Sequence, residues 1–438
     1  MMAARKSLGV LRATALGLAL GVAPALQAGE SQDCALGPDL TASWLPAPEF
    51  AAEALSRLPE LRAAQAEAAT AQARRRRLEL GPYEWSAKAG FGQRREQIGA
   101  TYPEHEVGLE TAVRWPAKVA ADRELGAQEA GLGELTLAEA WRQAARRLLD
   151  DWFGLARETR AAGLLEDQSG LAARQLALTE RRVQAGEVAP LDRLLAEAER
   201  ARAEAAAVQA RVRAQVALRT LQTRYAGLPP LALNGWLPRM AEIEPLPGEP
   251  DATRWTEVCT AAVLAAHPEL DLMQARARQA LLKAQRAELE RTGDPTLGLR
   301  VARERGGQEN VVGVYAALPL GGEVRAAAAL EAQGEAEAAQ ERLAETRQRV
   351  GLEAAQAVSA YPAAVSIWRQ LDTARERAER GAQLQARAYE LGEGSLPDLL
   401  LARRGAIDAA LAAEAAAIDA LHSRARLLLD SQRLWPRR

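Results

Sequence analysis

Residues 186–196 read GEVAPLDRLLA, and residues 392–402 read GEGSLPDLLLA. Each segment starts with Gly-Glu and has an aspartate at its seventh position, Asp192 in the first and Asp398 in the second. Each lies between long stretches rich in Ala, Arg, Glu and Gln that contain no turn signals. Glycine favours the end of a helix, whereas proline and aspartate favour the first turn of the next one. The pattern predicts the same sharp turn between two helices in each half of the chain.

The composition suits packed helices better than a large globular core. The chain has 438 residues, of which 48% are hydrophobic and only 4% aromatic, and alanine supplies much of the hydrophobic share. The formal net charge is -2, with acidic and basic side chains dispersed along the helical stretches. No face is basic enough to bind nucleic acid, so nucleic acid is not an expected partner.

The first 28 residues have the pattern of a cleaved secretory signal. A basic start with Arg5, Lys6 and Arg12 precedes an apolar run that ends in small residues. The mature chain is therefore expected to be exported. Cys34 lacks the preceding small-residue pattern that lipoprotein maturation requires, so we expect no lipid anchor. No later stretch approaches the roughly twenty apolar residues of a membrane helix.

The hydrophobic period changes from helical to alternating after residue 80. Residues 49–80 are helical in character, whereas residues 82–115 alternate apolar and polar side chains around a polar loop at residues 94–105. Strands of about ten residues can cross a bilayer when tilted, with apolar side chains facing lipid and polar ones facing a lumen. The residues predicted to face lipid are Tyr83, Trp85, Phe91, Val107, Leu109, Val113 and Trp115, and those predicted to face the lumen are Glu84, Lys88, Glu106, Glu110 and Arg114.

A second hairpin lies at the matching place in the other half, at residues 295–318. Its strands, at residues 295–303 and 311–318, flank a short loop that contains two glycines. Two hairpins give four strands with open edges, and lipid tolerates no open edge because unpaired backbone groups find no water there. Other copies of the chain must therefore complete the sheet, and we expect the isolated monomer to be unstable.

The helical stretches also recur in the same order. The predicted helices are a long one at 116–185, a return helix at 190–226, a half-length helix at 253–291, a second long one at 321–391 and a second return helix at 397–434. The half-length helices at 190–226 and 253–291, placed end to end, match the long helix, so we expect them to stack beside it. Pro362 is expected to kink the second long helix.

A tandem duplication accounts for this order. The motif Leu-Pro-Glu-Leu at residues 58–61 is answered by His-Pro-Glu-Leu at residues 267–270. The predicted divisions are a signal peptide (1–28), an N-terminal lead (29–48), a first repeat (49–226), a proline-rich linker (227–251) and a second repeat (252–434).

In this order and spacing the sequence resembles the TolC family of bacterial outer-membrane efflux proteins, over residues 49–434. The resemblance implies a mainly α fold with a transmembrane β part: internally duplicated long helical hairpins and two β-hairpins, three copies of which form a 12-stranded barrel and a periplasmic helical tunnel. The neighbourhoods of residues 58–61 and 115–116, with the missing lipoprotein pattern, look most like the heavy-metal (cobalt-zinc-cadmium type) branch that serves resistance-nodulation-division (RND) pumps.

The resemblance further implies a function and partners. It implies a homotrimer in outer-membrane lipid that passively carries cargo, with heavy-metal cations as one candidate, from a periplasmic adaptor and an inner-membrane RND-type transporter to the outside. Alternatives within this class are export of drugs and type I protein secretion. A rival of another class is a soluble periplasmic coiled-coil adaptor or scaffold, which has a long helical hairpin but no need for ten-residue strands with a lipid-like face.

The two turns are the candidate functional sites that follow from the resemblance. They would lie at the periplasmic tip, where Gly186, Glu187, Gly392 and Glu393 would contact the adaptor. The residues assigned to the aperture are Asp192, Asp398, Leu400 and Leu401. Three copies of Asp398 would form a ring that favours cations, with an apolar constriction from the two leucines. The alternative role for both aspartates is to complement a helix N-terminus.

No motif for catalysis or for a cofactor is present. The histidines are His105, expected in a solvated outer loop, His267, expected to be structural or capping, and His422. With Met240 and Met273 they do not have the spacing of a metal cluster, and we find no phosphate loop or nucleophile motif. We therefore expect no enzyme activity, no cofactor and no resident metal.

Cys34 and Cys259 each lie just upstream of a short helix at the start of a repeat. In an oxidising periplasm such a pair is either bridged or remains as two isolated buried thiols. Cα atoms more than about 7 Å apart would exclude the bond.

Overall fold

The structure, a computed structural model, describes Cys34, residues 45–228 and residues 251–437. The predicted signal peptide, most of the N-terminal lead and most of the proline-rich linker, with Met240, lie outside the described residues. The helices are α1 (Pro48–Ser56), α2 (Pro59–Leu80), α3 (Pro116–Gln184), α4 (Pro190–Arg224), α5 (Asp251–Ala265), α6 (Pro268–Leu289), α7 (Glu323–Glu390) and α8 (Leu396–Asp430). The strands are β1 (Ser86–Arg95), β2 (Thr101–Ala112), β3 (Thr296–Glu304) and β4 (Glu309–Ala317). Two short helices, two strands, a long helix and a return helix thus occur twice.

Proline breaks two of the predicted helices. The helix expected at 49–80 ends at Ser56 and restarts at Pro59, and the helix expected at 253–291 is divided before Pro268. A proline ring crowds the residue before it out of the helical region. Accordingly Leu58 has ψ 134° and His267 has ψ 107°. Pro362, in contrast, lies inside α7 without ending it, and its predicted kink stays a prediction.

The predicted stacking of the half-length helices is wrong. The short helices packed on α3 within the first repeat are α2 and α4, while α6 and α8 pack on α7. A Cβ atom on Gly133 of α3 would lie 2.8 Å from the Cβ of Ala71, so α2 approaches α3 very closely there. Ion pairs such as Arg211 with Glu166, at 2.8 Å, join α4 to the half of α3 nearer the turn. Each long helix is therefore covered by the short helix before it and the return helix after it.

The four strands form one antiparallel sheet in the order β1-β2-β3-β4. The polar loop predicted at residues 94–105 is wrong, because β1 continues to Arg95 and β2 starts at Thr101. Polar residues there pair across the strands: Arg94 Nε lies 2.6 Å from Glu104 Oε1. His105, predicted to be in the loop, lies in β2 opposite Phe91 and packs edge-on against its ring.

The main hydrophobic core lies midway along the helices. It surrounds Leu148, Leu149 and Trp152 of α3 and includes residues of α1, α2, α5, α7 and α8. A smaller cluster lies beside the two turns and contains Leu176, Ala196, Tyr389, Leu396, Leu399 and Leu400. Cys34 is bonded to Cys259 in the main core, with Cα atoms 4.7 Å apart. None of the described helices is long and apolar enough to span a membrane.

Candidate functional site

The sheet has one apolar face whose side chains are largely exposed. In β4, Val312 is 71% exposed and Val314 is 85% exposed. The register aligns Val312 with Val301 of β3 and, one strand further, with Val107 of β2. The same face carries the exposed side chains of Trp85, Phe91, Leu109, Leu297 and Leu299. A continuous exposed apolar surface of this kind marks a site of contact with lipid or protein.

The opposite face of the sheet is charged. Lys88 Nζ lies 2.7 Å from Glu110 Oε2, and Arg300 Nε lies 3.1 Å from Glu106 Oε2. Arg94 contacts Glu304 as well as Glu104, so these ion pairs join β1, β2 and β3. Alternation between an apolar and a charged face is the pattern of a strand with lipid on one side and water on the other.

A cluster of buried and half-buried charges lies where the strands join the helices; we call it the junction network. It consists of Arg114, Lys118, Asp122, Arg286, Glu290 and Asp294. Arg114 was predicted to face the lumen, and this is wrong. Its guanidinium bonds to Asp122, to Glu290 at 2.7 Å and to Asp294 at 3.2 Å.

The junction network joins the two repeats. Arg114, Lys118 and Asp122 come from the first repeat, while the other three come from the second. The network is electrically balanced, with three positive and three negative side chains. Neutral groups add to it: Tyr83 Oη donates to Asp294 at 2.6 Å, and Trp115 Nε1 donates to the Gly293 carbonyl at 2.8 Å. Tyr83 and Trp115, predicted to face lipid, therefore anchor their polar atoms at this junction.

Two carboxylates of the junction network, Glu290 and Asp294, make the fold sensitive to acid. Burial alone would raise the pKa values of Glu290 and Asp294, but hydrogen bonds outweigh it and lower both: Lys118 and Arg114 donate to Glu290, and Tyr83 and Lys118 donate to Asp294. A carboxylate with a lowered folded-state pKa stabilises the fold above its unfolded pKa, about 4, and loses that contribution as the pH falls further.

We expect the titration of Glu290 and Asp294 to change the midpoint of thermal unfolding little between pH 7 and pH 5. Between pH 4 and pH 3 the midpoint should fall. Circular dichroism during heating at each pH would measure it. In Asp294→Asn one of these carboxylates no longer titrates, so the fall below pH 4 should be smaller, although the midpoint at pH 7 is lower. An equal fall in both proteins would contradict the assignment.

Each of the two predicted turns is a helix end closed by glycine. Gly186 has φ 75° and Gly392 has φ 77°, the left-handed region that glycine adopts without strain. In the first turn the Glu187 amide donates to the Arg182 carbonyl at 2.9 Å, and in the second the Glu393 amide donates to the Ala388 carbonyl at 2.9 Å. These are the bonds of the Schellman motif. Among the described residues, and apart from each glycine and its two neighbours in the chain, no atom lies within 4 Å of the position that a Cβ would take at Gly186 or Gly392, so both turns have open space around them.

The two turns touch each other, which the sequence pattern did not indicate. The Arg182 guanidinium lies over the Tyr389 ring, 4.9 Å from its centroid, and donates to the Tyr389 carbonyl at 3.4 Å. Arg182 also bonds to Glu187 at 3.2 Å. Glu187, assigned to adaptor contact, is thereby tied to the ends of both long helices.

The four predicted aperture residues have different environments. Asp192 and Asp398 lie in the first turns of α4 and α8. Leu401 is 69% exposed, whereas Leu400 is 7% exposed and packs in the small cluster beside the turns. Because Leu400 is buried within its own chain, an apolar constriction would rest on Leu401 alone.

Ser395, the residue that caps the start of α8, was not predicted from the sequence. Its Oγ accepts the Asp398 amide at 3.3 Å and donates to Asp398 Oδ2 at 2.6 Å. The signal was present, since a serine three residues before an acid is a known helix start. The matching position before α4 is Ala189, which cannot cap. Asp398 is therefore held by a local hydrogen bond that Asp192 does not have.

A cavity of about 390 Å³ lies close to the turns, between α3, α7 and α8. Its walls are mostly apolar, and they include Leu171, Ala386 and Ile407. Arg403 reaches it and donates to Gln175 Oε1 at 3.0 Å. Burial lowers the pKa of the Arg403 guanidinium. A hydrophobic groove of this kind, close to two open turns, is suited to contact with a partner.

Metal ligands do not converge in the described part of the chain, where no group of three or more His, Cys, Asp or Glu side chains is placed to hold an ion. His267 is the residue before α6 but its side chain makes no capping hydrogen bond, and its buried Nδ1 has no hydrogen-bond partner among the residues that the structure describes. His422 Nε2 lies 2.9 Å from Asp150 Oδ1, and its ring stacks on Phe153. Both contacts are structural.

No protein-family model matches the chain, and no curated protein matches its sequence. Solved structures do match. The outer-membrane channel OprN superposes with a TM-score of 0.74 at 19% identity, over 88% of this chain and 90% of OprN. The CmeC outer-membrane channel of Campylobacter jejuni gives 0.71 at 14%, over 88% and 84%. The outer-membrane protein VceC of Vibrio cholerae gives 0.69 at 17%, over 88% and 95%. The chain therefore has the fold of TolC-like outer-membrane channels.

Proposed function

We propose that the chain is the passive outer-membrane channel of a tripartite efflux system. The observation that carries this proposal is the four-stranded sheet, which has an uncovered apolar face, a charged face and two open edges. A soluble periplasmic adaptor or scaffold has no use for such a sheet, and lipid on one side with water on the other explains both faces. The structural likeness to OprN, CmeC and VceC supports the same function.

Three copies of the chain would close the sheet into a barrel. The edge strands β1 and β4 each have a free side, and lipid requires that both be paired. Three sheets of four strands would give twelve strands around one lumen, in which the ion pairs of the charged face meet water. The helices would then continue this ring into the periplasm as a tunnel.

Exposed apolar stripes on the helices support the same assembly. On α4, Val208, Val212 and Val216 are spaced four residues apart, and each is more than half exposed. On α7, Leu352 and Leu384 are also more than half exposed. A second and a third copy of the chain would cover these stripes, as the closed barrel requires.

The open turns would be the end that receives cargo. Gly186 and Gly392 leave the backbone bare, and Glu187 and Glu393 stand beside them as exposed charges. A periplasmic adaptor would contact these four residues and the groove beside Arg403. It would connect the channel to an inner-membrane transporter of the RND type, which supplies the energy. The cargo would be drugs, proteins or heavy-metal cations; for metal, the chain would act as a conduit without soft ligands.

Asp398 would contribute to a closed aperture that favours cations. Three copies of this exposed carboxylate, together with Leu401, would form the narrowest ring. We expect Asp398→Asn to reduce the cation preference in single-channel recordings, since the ring loses its charge. Asp192→Asn is the matched control, because it removes an acid from the same position of the other turn. Unchanged selectivity and conductance in Asp398→Asn would leave this aspartate as a helix-terminal acid only.

A further inference from the structure

The disulfide bond between Cys34 and Cys259 joins distant parts of the chain. Cys34 precedes α1, and Cys259 lies in α5 of the second repeat, 225 positions later. Around the bond, Arg433 donates to the Cys34 carbonyl at 3.1 Å, and Trp435 Nε1 donates to the Pro46 carbonyl at 3.0 Å. The bond therefore lies where the two ends of the described chain meet its middle.

Neither cysteine is accessible once this region has folded. Cys34 is 6% exposed and Cys259 is 0% exposed, and both belong to the main core. Thiol-disulfide exchange needs a direct approach of the attacking sulfur to the sulfur that it attacks. A protein-sized oxidant cannot make that approach in the folded chain, so the bond has to form before the core closes.

We propose that the chain is a substrate of a dithiol-oxidising disulfide donor in the periplasm, and that this oxidation precedes closure of the core and assembly. The proposal rests on the export that the proposed function includes, but not on channel activity. Cys34 leaves the inner membrane well before Cys259. Cys34 is therefore the thiol that reacts first with the donor, and Cys259 reacts second.

The exchange balances without any further reagent. The Cys34 thiolate attacks the donor's disulfide, which breaks and leaves a mixed disulfide between Cys34 and the donor. The Cys259 thiolate then attacks the Cys34 sulfur. The bond between Cys34 and the donor breaks, the donor's second sulfur leaves as a thiolate, and the Cys34–Cys259 bond forms. Two electrons pass to the donor, and the two protons lost by the cysteines are balanced by those that the donor's dithiol takes up.

The experiment measures thiols by the mass that a maleimide polymer adds to the full-length protein. Cells are quenched in acid, and the envelope fraction is labelled with and without denaturant. In the wild type we expect no maleimide polymer to be added, even after treatment with reductant alone. After reductant together with denaturant, we expect two polymers to be added, one at each cysteine. Two free thiols in normal envelopes, or reduction without denaturant, would overturn the proposal.

Single variants test the order of the two thiols. In Cys259→Ser, we expect Cys34 to be labelled without denaturant or to be found in a mixed disulfide, because the covalent bond that fixes it in the core is then absent. In Cys34→Ser, we expect Cys259 to stay unlabelled until denaturant is added. The reverse pattern would overturn the order.

Cells without the disulfide donor test the dependence itself. There the wild type should carry two thiols, and its level in the envelope should fall several-fold, since even a modest loss of stability changes abundance that much. The variant Cys34→Ser/Cys259→Ser should have the same level with and without the donor. An unchanged wild-type level would overturn the requirement. These readouts are independent of transport, so a failed channel assay would not be mistaken for a failure of this proposal.

Discussion

Val312→Arg is expected to reduce the assembled protein in the outer membrane at least tenfold. Val312 lies on the apolar face in the middle of β4, and an arginine near the bilayer midplane costs about 2 to 4 kcal/mol in each chain. A difference of about 1.4 kcal/mol is already tenfold in an equilibrium. The level of folded, heat-modifiable protein in purified outer membranes would measure the effect.

The neighbouring residue supplies a matched control. Val311 is the same residue type at nearly the same depth in β4, but the register places it on the charged face, opposite Ala302. Val311→Arg should therefore assemble close to the wild-type level. Leu109→Arg on β2 should fail as Val312→Arg does, while Leu109→Ala should assemble. Equal levels for the two valine variants would show that the faces are assigned wrongly.

Asp122→Ala is expected to destabilise the fold by about 3 to 5 kcal/mol, the range for breaking a buried ion pair by removing one partner. The Asp122 carboxylate is 2% exposed and bonds to Arg114 and to Arg286, the latter at 2.6 Å. Its removal leaves a surplus positive charge in a buried site. Denaturant unfolding of the purified protein in detergent would measure the loss.

The control for this variant lies on the same helix. Glu158 of α3 pairs with Arg213 at 2.9 Å, but both side chains are partly exposed to water. Such a pair contributes at most about 1 kcal/mol, so Glu158→Ala should behave almost as the wild type. If Asp122→Ala were equally mild, the junction network would not hold the two repeats together.

Local patterns predicted most elements of the fold because they depend on neighbours in sequence. The alternation along β2 and the glycine-proline order at Gly392 and Pro397 are such patterns, and the structure has a strand and a turn there. The break before Pro268 could also have been predicted from the sequence, since a proline restricts the conformation of the residue before it. It was overlooked because the flanking stretches have the same helical composition.

Contacts between distant residues could not be predicted in the same way. The junction network joins Arg114 to Asp294, which are 180 positions apart in the sequence, and no local spacing indicates which charges meet. The burial of Leu400 beside the exposed Leu401 depends on how α8 packs against α3 and α7. The short helix that covers α3 together with α4 is α2, which comes before α3 in the chain. The prediction used the helix that follows α4 instead, because that helix is the next one along the chain.

Cross-linking in intact outer membranes tests the central claim that three copies close the barrel through their edge strands. Introduced cysteines suit this test because residues 29–438 contain only three lysines. One cysteine replaces Phe91 on β1, and a second replaces Asn310, Val312 or Val314 on β4. Within one chain these strands are about 14 Å apart, since two strands lie between them, so a short thiol-specific linker cannot bridge them internally.

If three copies close the barrel in this way, at least one of these pairs gives a ladder of monomer, dimer and trimer that ends at the trimer. Either cysteine alone should give no ladder, because each contact joins β1 of one copy to β4 of the next. Monomers alone for every pair, or a fourth rung, would contradict the claim.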